Sequence, residues 1–103
     1  MSTQTEIAAT AARKAVYDKV QAQVHTLDAQ LATLKAKAES VKADAELKTI
    51  ANLVTAKRAL DRNVAELKDA NEAAFQQAKA TVDARIAELQ QSVKTIESHI
   101  KAA

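Results

Sequence analysis

Glycine, proline, cysteine and tryptophan are all absent from this sequence, and its only aromatic residues are Tyr17 and Phe75. An average chain carries about 7% glycine and 5% proline, so losing both is a strong deviation. Those two residues are the usual turn formers and helix stops. Without them the chain has few obvious places to reverse, and no glycine-rich phosphate loop can be built. The absence of cysteine excludes a disulfide framework and fits a reducing compartment. No run of 18 apolar residues exists, so no membrane-spanning helix is expected. The opening "MSTQTEIAATAARKAVYDKV" lacks the apolar core of a signal peptide. The expected compartment is the cytoplasm.

Charge of one sign is lacking too. The formal net charge is +2 over 103 residues. Residues 1–51 hold seven Lys/Arg and six Asp/Glu, and residues 52–103 hold eight and seven. Mixed charge of this kind offers no basic face for nucleic acid, so no nucleic-acid partner is expected. What remains is rich in Ala, Lys, Glu, Gln and Leu, all good helix formers. The composition predicts an all-α chain.

A periodic pattern runs along it. "LDAQLATL" (27–34), "LDRNVAEL" (60–67) and "VDARIAEL" (82–89) begin 33 and 22 residues apart, both multiples of eleven. Stepping by eleven from Val16, from Val20 and from Gln23 gives three columns, in which 19 of 24 positions are apolar. Adjoining columns are acidic (Asp28, Glu39, Asp61, Glu72, Asp83) and basic (Lys35, Lys57, Lys68, Lys79, Lys101). Eleven residues in three turns is 3.67 per turn, close to the natural 3.6. The repeat predicts long amphipathic helices, each presenting the same side chains to one seam. A heptad phase also fits locally over 24–45, through Val24, Leu27, Leu31, Leu34, Ala38, Val41 and Ala45, but fails before Ile50 and Leu53. The expected seam residues are Leu27, Leu31, Leu34, Leu60, Val64, Leu67, Val82, Ile86 and Leu89.

Local signals agree with helix. Thr3 and Glu6 have capping-box spacing. Oppositely charged residues four apart recur: Lys14–Asp18, Lys35–Glu39, Lys42–Glu46, Asp44–Lys48, Lys57–Asp61, Arg62–Glu66, Lys68–Glu72, Lys79–Asp83 and Glu97–Lys101. Each such pair supports a helix by about 0.2–0.5 kcal/mol.

Two architectures satisfy the pattern: an antiparallel coiled-coil hairpin or bundle, and an extended, near-continuous helix in an intermolecular coiled coil. For a fold-back, the best break lies within "LKDANEAAF" (67–75), near 69–72. There Asp69 and Glu72 have N-cap spacing and Asn71 tolerates a left-handed conformation. A second candidate is 47–53, where Thr49 interrupts the stripe, and a third is near Ser40. A reversal at residue 70 sets Lys42 opposite Glu97, the two charged residues of the apolar columns, as a register pair. A stripe left over at residues 7–37 suggests a homo-oligomer. The whole of 1–103 reads as one coiled-coil domain.

Residues that could carry chemistry are sparse. Neither His25 nor His99 has a His, Cys, Asp or Glu four residues on, the spacing of a helical metal site, and both fall in polar columns. The carboxylates form a repeated solvated column, and Phe75 and Tyr17 sit on or beside the stripe. No nucleophile–base constellation, cofactor motif or metal motif is present, so the expected function is non-enzymatic. Amphipathic repeats flanked by lysine also suit a lipid or membrane surface, a second reading.

Two segments, "LKAKAESVKADAELKTI" (34–50) and "LKDANEAAFQQAKATVDARIAELQQSV" (67–93), resemble the small bacterial coiled-coil stress-response proteins of cyanobacterial type. Phe75 stands where such chains usually carry tryptophan. The resemblance implies a coiled coil and a stress association, and brings no catalytic or binding residues. The eleven-residue pattern is also similar to apolipoprotein and desiccation-protein repeats.

Overall fold

The computed structural model describes residues 2–102, with side chains described for residues 11–100. The chain forms α1 (Ser2–Ser40), α2 (Asp44–Asp69) and α3 (Glu72–Ala102), with no strand among the described residues. The three helices pack on one another as a rod of 61 × 16 × 15 Å. Each consecutive pair is antiparallel, so α1 and α3 run the same way. The fold is therefore the helical bundle, and the continuous helix is excluded for this chain.

The buried residues explain how the helices meet. In α1 they are Val20, Val24, Leu27, Leu31, Leu34 and Ala38, and in α3 Phe75 and, one heptad on, Val82, Ile86, Leu89, Val93 and Ile96. Successive steps alternate four and three, the 3.5-residue spacing of a coiled-coil seam. In α2, buried Ile50, Leu60, Val64 and Leu67, with half-buried Leu53 and Lys57 between them, keep the same alternation. Within one helix the core thus follows a heptad. The eleven-residue frame expects Gln23 in the seam, yet Gln23 is half-buried and Val24 is buried. The steps of 33 and 22 span the two turns, being five more than four heptads and one more than three. They absorb the phase shift that each turn introduces.

The nine expected seam residues are all buried inside the chain, and no polar or charged residue among those described is buried. Each fully buried Leu or Val contributes roughly 1.5–3 kcal/mol. The stripe of α1 is covered by the chain's own α2 and α3 from Val16 to Ala38. The expected leftover stripe does not exist over 11–37, because a third helix occupies it. Residues 7–10, the Thr3–Glu6 capping box and the Glu97–Lys101 pair involve side chains outside the described residues.

The first turn, 41–43, is a Schellman motif built without glycine. Lys42 adopts φ 56°, the one positive φ among the described non-glycine residues. The Ala43 N–H donates to the Ala38 carbonyl at 2.9 Å and the Lys42 N–H to the Glu39 carbonyl at 3.2 Å. That is the six-to-one and five-to-two bonding of the motif, with Lys42 in the left-handed position where glycine is usual. Ala38 and half-buried Ala43 supply the apolar contact that accompanies it.

The second turn, 70–71, works differently. Ala70 is extended (φ −69°, ψ 142°), and its N–H donates to the Leu67 carbonyl. Asn71 is the N-cap of α3: its Oδ1 accepts the Ala74 N–H at 2.8 Å, and its carbonyl accepts the Phe75 N–H at 2.8 Å. The cap is therefore Asn71, and Asp69 is the last residue of α2. Asn71 does not take the left-handed conformation that the sequence allowed it. The chain reverses near Ser40 and within 67–75, while 47–53 is continuous helix. Thr49 interrupts the apolar column because it faces solvent, its Oγ1 donating to the Ala45 carbonyl at 3.1 Å.

Candidate interaction site at one end of the bundle

The lengths of the helices place one end of α1 beyond its neighbours. The Arg13 guanidinium donates to the Ala70 carbonyl at 3.4 Å, so Arg13 lies level with the α2–α3 turn. Residues 2–11 of α1 continue past that turn, roughly 15 Å at 1.5 Å per residue. Among the described residues no segment of α2 or α3 accompanies them.

Both aromatic residues sit at this end. Phe75, in the first turns of α3, is buried, and Tyr17 is half-buried against the core. Arg13, Tyr17, Leu67, Lys68, Ala70 and Phe75 border a groove of about 490 Å³. The Lys68 Nζ stands 6.0 Å from the centre of the Tyr17 ring, at the outer limit of a cation–π contact. The Tyr17 hydroxyl accepts from Gln21 one turn on. Lys14 pairs with Asp18 at 2.8 Å, and this hydrogen bond and charge hold the Lys14 ammonium above its ordinary pKa. The end of the rod is thus an apolar floor rimmed by Arg13, Lys14 and Lys68, with one carboxylate answering Lys14.

A second groove, of about 610 Å³, runs between α2 and α3 and is lined by Asn63, Glu66, Ala70, Ala74, Ala78 and Thr81 among others. The Asn63 Oδ1 is buried there without a hydrogen-bond partner. The small side chains of Ala70, Ala74 and Ala78 leave this space between the two helices.

The register of the bundle is not set by Lys42 and Glu97. Lys42 is exposed in the first turn, and it makes no ion pair with Glu97, which is half-buried on α3. The charged residue in the apolar column at 42 marks the turn. An interhelical ion pair forms instead between Lys57 of α2 and Asp28 of α1 at 2.6 Å, with Asp61 on the other side of Lys57 at 2.8 Å. Burial of the Lys57 side chain lowers its pKa, but the hydrogen bonds and charges of Asp28 and Asp61 outweigh that and raise it above the ordinary lysine value. These residues belong to the basic and acidic columns of the repeat, and that membership was the sequence signal that could have found the pair.

Of the other i,i+4 pairs, Lys14–Asp18 and Lys79–Asp83 close, at 2.8 and 2.9 Å. Lys42–Glu46 and Lys68–Glu72 straddle the turns and are separated by them. Both histidines are exposed. No group of three or more His, Cys, Asp or Glu among the described residues could hold a metal ion, and no described helix is long and apolar enough to cross a membrane. Compared with family models, with curated proteins and with solved structures, the chain matches none.

Proposed function

We propose that the chain is a non-catalytic interaction module, a helical rod that associates with a second copy of itself through the projecting end of α1. One observation carries this reading: α1 outruns the α2–α3 turn by about ten residues, with no accompanying helix among the described residues. A helix of that length has little stability of its own in water and gains most of it from packing. Ile7 is the one large apolar residue of the segment, and Ala8, Ala9 and Ala11 permit close helix–helix approach. Two such ends laid antiparallel make an isologous contact, the commonest way for identical chains to pair. The groove bordered by Tyr17 and Phe75 adjoins the segment and extends the apolar surface available to the partner.

The stress association implied by the resemblance is kept as part of this proposal, resting on segments 34–50 and 67–93. The lipid-surface reading stands second. The amphipathic stripe is turned inward and Val41 is the one exposed large hydrophobic residue among those described, so membrane binding requires the bundle to open.

Light scattering coupled to gel filtration over a concentration series tests the proposal. The expected result is a concentration-dependent dimer that Ile7→Lys returns to monomer with unchanged helicity. A monomer throughout, or a dimer that dissociates promptly on dilution yet is insensitive to Ile7→Lys, overturns it. Vesicles of anionic phospholipid that bind the chain while near-neutral ones do not would favour the second reading.

A further inference from the structure

At the opposite end of the rod, we infer that the α1–α2 turn is a hinge that opens, fusing α1 and α2 into one helix and exchanging helices between two copies in a domain-swapped dimer. Four observations meet at residues 41–45. Lys42 is held at φ 56°, a conformation that costs a non-glycine residue stability. Val41 beside it is 53% exposed, the one large hydrophobic residue of the described surface left in water. The heptad of α1 runs on through the turn, from Leu34 and Ala38 to Val41 and Ala45, and shifts phase only before Ile50. Neither glycine nor proline stands anywhere in the segment to forbid a continuous helix.

Opening the turn changes each of these in the same direction. Lys42 returns to the right-handed region. Val41 rejoins the seam, and in a twofold dimer the two Val41 side chains meet at the axis. Lys42 and Glu46 come into i,i+4 register, a pair the turn keeps apart. Away from the turn the interhelical contacts of the closed chain are preserved, because α1 of one copy packs on α2 and α3 of the other. The Lys57–Asp28 pair then joins two chains. Swapping is a low-cost route to a dimer when a short hinge stores strain. The closed monomer keeps the entropic advantage of a single chain, so the balance depends on protein concentration.

This inference goes beyond the contact proposed for the projecting end of α1, and different residues test it. The full-length chain is unfolded in denaturant, refolded at about 1 mM and at about 1 μM, and sized by gel filtration with light scattering and X-ray scattering. The expected result is a dimer in the concentrated sample that dissociates slowly after dilution, with a maximum dimension of about 120 Å, twice that of the monomer. Lys42→Gly should lower the dimer association constant about a hundredfold or more, because glycine relieves the closed turn and weakens the continuous helix. Val41→Lys should lower it while leaving the monomer's helicity and melting unchanged. Ile7→Lys should leave this slowly dissociating dimer intact, which separates it from the end-to-end contact. A chain that refolds only to monomer at both concentrations overturns the inference. So does a dimer that survives Lys42→Gly, or one abolished by Ile7→Lys alone.

Discussion

The two turns of this bundle solve one problem with different materials. Neither has glycine or proline. The turn at 70–71 uses an extended alanine and an asparagine whose side chain closes the first turn of α3, and it is flanked by the buried side chains of Leu67 and Phe75. The turn at 41–43 uses a lysine in the left-handed region, and it is flanked by alanines, Ala38 and Ala43, with Val41 left in solvent. One turn is held by a hydrogen-bonded cap and bulky packing. The other is held by backbone bonds and a small alanine contact, at the expense of a strained residue. The difference shows that a chain can reverse twice without glycine or proline, provided that the helices on either side have enough apolar surface to bury.

Four changes break or sharpen this comparison. Leu67→Ala removes the large anchor of the second turn and should cost about 2–5 kcal/mol in urea unfolding. Ala38→Leu is the converse change at the first turn. Ala38 is fully buried, so a larger side chain overpacks the close approach of α1 and α2 and should cost about 1–3 kcal/mol. If Ala38→Leu were neutral, the first turn would be loosely packed and the contrast would fail. The caps should then respond in opposite directions under thermal unfolding. Asn71→Ala should lose about 1 kcal/mol by leaving the Ala74 N–H without its acceptor, while Lys42→Gly should stabilise the monomer by about 0.5–1 kcal/mol.

The smallest effect is a pH dependence. The Lys57 pKa is raised in the folded chain, so its stabilisation is fully present below the ordinary lysine value of 10.5 and is lost as pH rises through the folded value. A melting series across that range should show the wild type losing about 0.5 kcal/mol more than Lys57→Met. Equal losses would mean that the interhelical pair contributes nothing to holding α1 against α2.

The sequence made the helices legible because their signal is local and repeated. The composition predicts them, and all nine seam residues read from the columns lie in the core. Two breaks near Ser40 and in 67–75 were within view. The candidate site was less legible. Whether the chain turns depends on adding small terms, a left-handed lysine and a side-chain cap against the gain from a third helix, and no single residue announces that sum. Lys42 looked like a charge in a seam because the eleven-residue frame ran straight through a position where the helix stops. Ile50 and Ile96, which lie outside the three columns, join the core because each helix keeps its own heptad phase, visible only once the turns are located. Arg13 reaches Ala70 through a contact 57 residues distant in sequence, which periodicity does not encode.

The heptad core also makes length an adjustable property of the molecule. Seven residues added to each helix at matching levels would extend the rod by about 10 Å and repeat the same layers of side chains, with both turns untouched. The distance between its two ends is therefore a quantity that can be set in fixed steps, as on a ruler, independently of what each end contacts.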